Sequence, residues 1–374
     1  MSRFLFVVPP LTGHVNPTAS VGGELLARGH DVAWVGHPGT LAPLLPDHAV
    51  IHPAIDDGLE AGIRAERERW LALRGMAVLK FFWEEFLIPL GHAMVPGVAA
   101  AVRDFAPDVV VADQQALAGP RVANEAGLPW VTSAATSAEL VTPLRTMPKV
   151  DAWVRGLLHD FAGGDIRFSD RLVLVYSTKA LVSGDFGDEV AFVGPALAHR
   201  VERAEFPWER LGRRNVLISL GTLNGSAGER FFTQALDAVA ELDVRVVMVA
   251  PERPAPANVL LRPSVPQLAL MPHLDAVVTH GGHNTVCEAL AHGLPLVVAP
   301  IRDDQPTVAA QVVAAGAGVR LTYSRARSTD IRTALESVLG EPEYAAAAEL
   351  VRESFLAAGG AAAAADRLEK VVAG

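Results

Sequence analysis

Apolar segments of strand length alternate with helical segments along the whole chain, and this alternation restricts the fold more than any other feature. Strands that are buried on both faces and separated by helices are typical of a parallel, doubly wound sheet. The apolar segments are residues 3–8, 31–36, 108–112, 130–132, 216–220, 244–250, 275–279 and 295–299. After the first of them, Asn16 is predicted to cap a helix that begins at Pro17 and stops before Gly29.

The same order of strands and helices starts twice, which predicts two domains. The charged segment 198–214 is the best linker between the two halves. We therefore predict an α/β fold of two Rossmann-like domains, residues 1–200 and 201–374, that face each other across a cleft. The alanine-rich C-terminus is predicted to be helical and to pack back on the N-terminal domain. Ligands of such sheets bind beyond the carboxyl ends of the strands, so the cleft is the expected site.

Composition excludes several classes of function. The 374 residues include 32 basic and 42 acidic side chains, and the net charge of −10 argues against nucleic acid as a partner. The single cysteine, Cys287, excludes a disulfide framework and a cysteine-based zinc site. The apolar N-terminus is too short for a signal peptide, so we expect a cytoplasmic protein. Residues 86–102 carry no formal charge, but prolines and glycines interrupt them, which indicates a pocket wall or a buried helix-turn-helix rather than a membrane span.

A glycine-rich turn lies between the strand at 275–279 and a predicted helix. Gly281 and Gly282 let a bound anion approach the backbone, and the helix N-terminus offers free N–H groups and a positive dipole. Taken alone, such a turn is more often a packing feature. The same segment has polar side chains that suit a diphosphate and sugar hydroxyls, at His280, Asn284, Thr285 and Glu288.

The surrounding sequence resembles the donor-binding signature of nucleotide-sugar-dependent glycosyltransferases of the GT-B fold. The plant secondary-product enzymes and the bacterial macrolide and carotenoid-glucoside enzymes belong to this family. The matching segments are Val265-Pro266-Gln267, then His280-Gly281-Gly282-His283-Asn284-Thr285 with Glu288, and Pro300-Ile301-Arg302-Asp303-Asp304-Gln305. The similarity is strong in these segments and extends weakly over nearly the whole chain.

The resemblance implies a donor site made of Thr222, Val265, Gln267, His280, Gly282, Asn284, Thr285, Glu288, Asp304 and Gln305. It implies β-phosphate binding by His280, α-phosphate binding by Asn284 and Thr285, ribose binding by Glu288, and binding of the transferred sugar by Asp304 and Gln305. The loop at Gly221-Thr222 would line the diphosphate from the other side. One departure is Ser264, where the family has an aromatic residue on which the base stacks, a contact worth ~1–3 kcal/mol elsewhere. The backbone of Val265 still suits the edge of the base.

The N-terminal half supplies a candidate base. His14 lies between the first strand and the first predicted helix, in a segment that matches the family's Gly-His motif. A neutral imidazole near pH 7 suits removal of a proton from an acceptor hydroxyl. Asp113 resembles the carboxylate that orients this histidine, although it also suits a cap of the following helix.

The resemblance further implies an inverting displacement at the anomeric carbon, with a UDP-hexose or a dTDP-deoxysugar as donor. No Asp-x-Asp motif occurs in the sequence, so we expect neither a required metal nor another cofactor.

An aromatic and apolar group in the N-terminal half predicts a pocket for a small hydrophobic natural-product acceptor. Its members are Phe81, Phe82, Trp83, Phe86 and Met94, with Trp70 and Leu87 nearby in sequence. Each of them, taken singly, also suits an ordinary core. Lesser candidates follow another predicted strand, at Thr136, Ser137, Glu139 and Met147.

Two other functions stay open from the sequence. A non-catalytic sugar-nucleotide-binding partner of a glycosyltransferase would explain Ser264, but the presence of both His14 and Asp113 argues against it. Another GT-B enzyme, such as a sugar-nucleotide epimerase, fits the ordered donor signature poorly. The sequence contains neither the glycine fingerprint of dinucleotide-binding domains nor a P-loop.

Overall fold

The computed structural model of the chain describes residues 1–73, 75–141, 144, 147–221 and 228–373. Within these residues it has two parallel sheets, each part of an α/β domain, which confirms the predicted fold class. Alternate residues of each central strand pack on opposite faces. Phe4 and Phe6 of the first strand belong to one apolar core, and Leu5 and Val7 belong to another on the opposite face.

The described part of the N-terminal domain has seven parallel strands in the order β3-β2-β1-β4-β5-β6-β7. The strands are β1 Arg3–Val7, β2 Asp31–Gly36, β3 Val50–Pro53, β4 Val109–Asp113, β5 Trp130–Ala134, β6 Val173–Val175 and β7 Val190–Phe192. Its helices are α1 Thr12–Ala27, α2 Pro38–Leu41, α3 Asp57–Ala72, α4 Met76–Lys80, α5 Ile88–Phe105, α6 Ala118–Glu125, α7 Ala138–Val141 and α8 Pro148–Ala162. A π-helical stretch, Phe81–Leu87, joins α4 to α5.

The described part of the C-terminal domain has six parallel strands in the order β10-β9-β8-β11-β12-β13. The strands are β8 Asn215–Ser219, β9 Arg245–Val249, β10 Val259–Arg262, β11 Ala276–Thr279, β12 Leu296–Val298 and β13 Gly318–Arg320. The helices are α9 Glu229–Val239, α10 Gln267–Leu270, α11 His283–Leu290, α12 Gln305–Ala314, α13 Ser328–Gly340, α14 Pro342–Ala358 and α15 Gly360–Ala373. Short 3₁₀ turns lie at Trp208–Arg210 and Met271–His273.

The last helix returns to the first domain. The chain bends between α14 and α15 at Gly359 and Gly360, which both have positive φ. On α15, Ala361, Ala364, Ala365 and Leu368 then join the core beneath β1 and α1. Because α15 packs there, the C-terminal segment closes one face of the N-terminal sheet.

The first helix differs from its prediction. It begins at Thr12 rather than at Pro17, so Asn16 does not cap it and His14 lies in its first turn. Pro17 is inside the helix and has no N–H to donate to the carbonyl four residues earlier. The Gly13 carbonyl instead accepts a hydrogen bond from a residue of the other domain. The helix can therefore begin before Pro17 without leaving this carbonyl unpaired.

One helical run among the described residues, Met76–Phe105, passes a test for membrane-spanning segments by length and composition alone. Core helices of globular proteins pass the same test. Leu90, Met94 and Val98 of this run pack in the core between α5 and the N-terminal sheet. The predicted turn is absent, because α5 is one helix from Ile88 to Phe105 with Pro96 inside it.

Candidate active site

The two sheets place their polar strand ends in one cavity. In each sheet the strand order reverses once, between β1 and β4 and between β8 and β11, and ligands of open α/β sheets bind at such points. A cavity of about 1140 Å³ extends between the two domains and is lined from both of them. The residues after β1, β8 and β11 reach its wall, among them His14, Gly221 and His280.

His14 and Asp113 form a hydrogen-bonded pair on the N-terminal side. The His14 Nδ1 atom is 2.9 Å from both Oδ1 and Oδ2 of Asp113, at the carboxyl end of β4. The Asp113 side chain is completely buried, whereas that of His14 is 15% exposed and lines the cavity. Asp113 also accepts a hydrogen bond from the Gln115 N–H at 2.8 Å, so it holds its own loop as well as the imidazole.

Carboxylates control the charge of His14. Burial by itself would lower the pKa of His14, but the charge and hydrogen bond of Asp113 raise this pKa above its ordinary value of 6.5. Asp304 and Glu139 act in the same direction. Burial also raises the pKa of Glu139 to about 7, with further contributions from Asp113 and Asp304. The imidazole therefore lies among three carboxyl groups, and it favours protonation more than a free histidine does.

His280 is neutral at physiological pH. Burial lowers the pKa of His280 to about 4, although Asp304 and the Ser219 backbone favour the protonated form. The ring lies between two glycines, because a Cβ atom on Gly221 would be 2.6 Å from its Cε1 and one on Gly282 would be 2.6 Å from its Nε2. Gly221 also has a φ of +74°, so its backbone conformation favours glycine in addition to the lack of space for a Cβ atom. A bound anion would thus meet a neutral imidazole rather than a positive charge.

The N-terminus of α11 is joined to the other domain. The Asn284 Nδ2 atom donates to the carbonyl oxygen of Gly13 at 2.6 Å. This carbonyl is four residues before Pro17, which cannot donate to it within α1. The group proposed from the sequence to bind an α-phosphate therefore bridges the cleft beside His14 in this structure.

Glu288 is nearly covered by two partners. Its side chain is 2% exposed. Arg200, from the linker, donates to Oε1, and the amide of Gln267 donates to Oε2. The same Gln267 amide is 3.3 Å from the hydroxyl of Thr285.

The loop before α12 holds the last pair of predicted donor residues. The side-chain oxygen of Gln305 accepts hydrogen bonds from the N–H groups of Ile301 at 2.9 Å and Arg302 at 3.1 Å. Asp304 lines the cavity next to it, and its charge acts on both His14 and His280. The loop thus brings a carboxylate to the meeting point of the two domains.

The cavity contains most of the residues that the sequence singled out. Those on its wall are His14, Val265, Gln267, His280, Gly282, Asn284, Thr285, Glu288, Asp304, Gln305, Phe81, Phe82 and Phe86. Thr136 and Glu139 line it as well, and Ser137 instead pairs with Gln311 of the other domain at 3.3 Å. Thr222 lies outside the described residues.

Two acceptor candidates are wrong. Met94 is fully buried between α5 and the N-terminal sheet, and Trp83 packs with Leu87 and Leu158 in a separate core. Neither side chain lines the cavity. Both lie on helical faces that turn inward, and their apolar character serves packing.

Comparison with known proteins places the chain in a family. Residues 233–371 match the family model for the C-terminal domain of proteins like erythromycin biosynthesis protein CIII. Over 99% of its length the chain is 30% identical to 4'-demethylrebeccamycin synthase of Lentzea aerocolonigenes, all of which is covered. It is 27% identical to demethyllactenocin mycarosyltransferase of Streptomyces fradiae, with 99% of this chain and 86% of that protein aligned.

The chain belongs to the natural-product glycosyltransferases.

Solved structures agree on the fold of this glycosyltransferase. The spinosyn forosaminyltransferase SpnP superposes with a TM-score of 0.79 at 20% identity, covering both chains completely. The glycosyltransferase SnogD from Streptomyces nogalater superposes with a TM-score of 0.77 at 22% identity, over 99% of this chain and 100% of that one. Together these findings show the GT-B fold and a glycosyltransferase, as the sequence predicted.

Sequence reasoning missed two residues at the glycosyltransferase cleft. Arg200 was part of the predicted linker, and no local signal connects it to Glu288, 88 residues later. Arg302 belongs to the family signature but had no assigned contact; its guanidinium carbon lies 5.7 Å from the ring centroid of Trp70, across the cleft. Trp70 in turn stacks near Phe81, Phe82 and Phe86, so the aromatic group and the donor loop meet.

Proposed function

We propose that this glycosyltransferase inverts configuration at the anomeric carbon and transfers a hexose or deoxyhexose to a hydroxyl of a small hydrophobic natural product. His14 is the general base, and Asp113 orients its ring and stabilises the imidazolium that forms. The donor is held by the cavity residues around α11. We propose that no metal is required, because the α11 N-terminus and its side chains offer donors to the leaving phosphates. A cytoplasmic location is part of the same proposal.

One observation carries this proposal: His14, held by the buried Asp113, faces the N-terminus of α11 within a single cavity. With Nδ1 held by Asp113, the imidazole has Nε2 as its other nitrogen, which suits proton removal from an acceptor oxygen. A donor sugar between this nitrogen and α11 would be attacked from the side opposite its leaving diphosphate. This arrangement supports a direct, inverting displacement in which alignment and a base are the main contributions of the protein.

The acceptor is proposed to lie along the aromatic side of the cavity. Phe81, Phe82 and Phe86 line this side together with Trp70. The ring planes of Trp70 and Phe81 are within 19° of parallel, with centroids 5.9 Å apart. Such a wall suits an acceptor with a large apolar surface.

The experiment replaces His14 with alanine and measures sugar transfer and nucleotide binding separately. We expect His14→Ala to lower the transfer rate by at least ~10²-fold, since a general base contributes about that much. The affinity for nucleoside diphosphate should stay within about twofold of the parent. His48→Ala, at an exposed histidine of the same domain, is the control.

Equal transfer by His14→Ala and the parent would refute the base assignment. Slow hydrolysis of the donor offers a readout that needs no acceptor. Hydrolysis that depends on His14 would also exclude a non-catalytic sugar-nucleotide-binding partner, the alternative left open by the sequence.

A further inference from the structure

The nucleotide side of the cavity contains a cation that the proposed mechanism does not use. Arg200 lines the cavity, and its side chain is only 12% exposed. It comes from the linker rather than from either sheet, and it pairs with Oε1 of Glu288. Under the proposed function Glu288 binds the pentose hydroxyls of the donor. Arg200 therefore contacts the carboxylate that would bind the pentose, which is where ribonucleotides differ from 2′-deoxyribonucleotides.

Linker residues on both sides of Arg200 fix its position. The preceding residue, His199, has a φ of +59°, and its Nε2 is 3.2 Å from a carboxylate oxygen of Glu24 in the N-terminal domain. Glu202 accepts hydrogen bonds from the N–H groups of Leu268 at 2.8 Å and Ala269 at 2.9 Å in the C-terminal domain. The linker is thus attached to both domains within four residues, and Arg200 is held against Glu288 between these two attachments.

A pentose hydroxyl must displace one of the partners of Glu288, because the carboxylate is 2% exposed. The partner on Oε2 is the neutral amide of Gln267, and the partner on Oε1 is the charged guanidinium of Arg200. Both bonds end on the same carboxylate and are charge-assisted, but displacing Arg200 also separates a covered ion pair and leaves two charges to be solvated. A single hydroxyl therefore takes the place of Gln267 and leaves Arg200 where it is.

A ribose and a 2′-deoxyribose differ in the number of hydroxyls that need an acceptor on this carboxylate. The 3′-hydroxyl, common to both, can use Oε2. The 2′-hydroxyl of a ribonucleotide would turn to Oε1, where Arg200 already donates and where the carboxylate is otherwise covered, so this hydroxyl loses water without an accessible acceptor. A 2′-deoxyribose has no such group. The geometry thus favours the deoxy sugar.

We propose that Arg200 is a nucleotide-specificity residue, which reserves one oxygen of Glu288 and so selects 2′-deoxyribonucleoside diphosphate donors over ribonucleotide donors. The inference rests on the proposed role of Glu288 in donor binding. It places the determinant of pentose selectivity on the interdomain linker, outside the donor-binding signature.

The test compares UDP with 2′-deoxyuridine diphosphate, which differ by the 2′-hydroxyl alone, by calorimetry on the full chain. We expect the parent to bind the deoxy ligand about 10-fold more tightly. In Arg200→Leu the difference should fall below about twofold, mainly through a gain in UDP affinity. Arg213→Leu is the matched control, since that linker arginine is exposed and does not line the cavity, and it should keep the parental preference.

The outcomes separate this inference from the proposed function. If the parent binds neither diphosphate, nor dTDP, at millimolar concentration, the proposed donor site is wrong. If the parent binds both uridine ligands equally, or UDP more tightly, the donor site stands and the role of Arg200 is refuted. Retention of the full preference by Arg200→Leu would refute it as well. Arg200→Lys, which keeps the charge, provides the same comparison if the leucine variant does not fold, and it should retain part of the preference.

Discussion

At the scale of single residues, the active centre is defined by carboxyl groups around one imidazole. Asp113 contacts His14 directly, while Asp304 and Glu139 raise the pKa of His14 through their charges. As the proposed general base, His14 would work only in its neutral form, so each of these carboxylates would move its working range to higher pH. Under the same proposal, these charges stabilise the imidazolium that forms when the acceptor proton is taken.

The rise of kcat/KM with pH should depend on the carboxylates around His14. The pKa of His14 is raised above 6.5, so the neutral base accumulates only as the pH rises past that value, and kcat/KM should increase there. In Asp113→Asn the main raising charge is absent, so this rise should move to lower pH. The maximal rate should fall by ~10²-fold or more, because the ring loses its orienting partner.

Asp108→Asn is the control for this change. Asp108 lies next to the opposite end of β4, where it accepts from the Arg3 N–H at 2.7 Å. This variant should keep the parental profile. If the rise of kcat/KM occurs at the same pH in Asp113→Asn as in the parent, Asp113 does not set the pKa of the base.

At the scale of secondary structure, two turns position His280. One turn ends β8 and the other ends β11, and their glycines leave room for the ring only because neither has a Cβ atom. Gly282 has an ordinary φ of −61° as it starts α11, so alanine fits its backbone. Replacement there tests the space around the ring with little backbone strain.

Gly282→Ala should weaken nucleoside diphosphate binding. The new Cβ would lie 2.6 Å from Nε2 of His280, so the ring must turn away from the position that we propose binds the β-phosphate. Loss of one hydrogen bond to a charged group costs about 1.5–3 kcal/mol, which is about 10- to 150-fold in Kd. Calorimetry with UDP or dTDP measures this change.

Gly164→Ala provides the comparison, because a Cβ at that position meets no atom within 4 Å. It should leave the affinity unchanged. An unchanged affinity in Gly282→Ala, with the fold intact by circular dichroism, would mean that His280 does not contact the phosphates.

The elements that the sequence predicted are those with the strongest local pattern. Central strands such as β1 and β11 are buried on both faces, and their continuous apolar runs identify them. The strands β3, β7, β10 and β13 lie at or near the sheet edges and are only partly buried, so they lack the burial on both faces that identifies a central strand. The start of α1 was missed for a different reason, since the partner that compensates Pro17 lies in the other domain.

The same distinction applies to the site. A residue next to a glycine turn, such as His280, is recognisable from its neighbours in sequence. The pairing of Arg200 with Glu288 depends on how the linker lies against the folded domains, and no spacing in the sequence contains this information. Trp83 and Met94 were misassigned because an aromatic or apolar residue has the same signature in a core as in a pocket wall.

At the scale of the whole molecule, groups proposed to bind the donor also join the two domains. Asn284 bridges to Gly13, and Glu288 is tied to the linker through Arg200. Under the proposed function, a nucleoside diphosphate must exchange these contacts for its own. Donor binding is then coupled to the relation between the domains, because the interdomain bond at Gly13 is adjacent to the base at His14.

Pro17→Ala should reveal this coupling. The alanine N–H can donate to the Gly13 carbonyl within α1, so that carbonyl no longer depends on Asn284. The Asn284 amide is then released to the diphosphate without the loss of an interdomain hydrogen bond. Since such a bond contributes about 0.5–1.5 kcal/mol net, the affinity for UDP or dTDP should increase about 2- to 10-fold.

Pro96→Ala separates this effect from the general gain of removing a proline from a helix. Pro96 also lies inside a helix, α5, but it does not line the cavity. Both variants should gain helix stability, and only Pro17→Ala should bind the diphosphate more tightly. An equal affinity in the two variants would mean that the bond between Asn284 and Gly13 does not compete with the donor, and the domains would then be joined independently of the nucleotide.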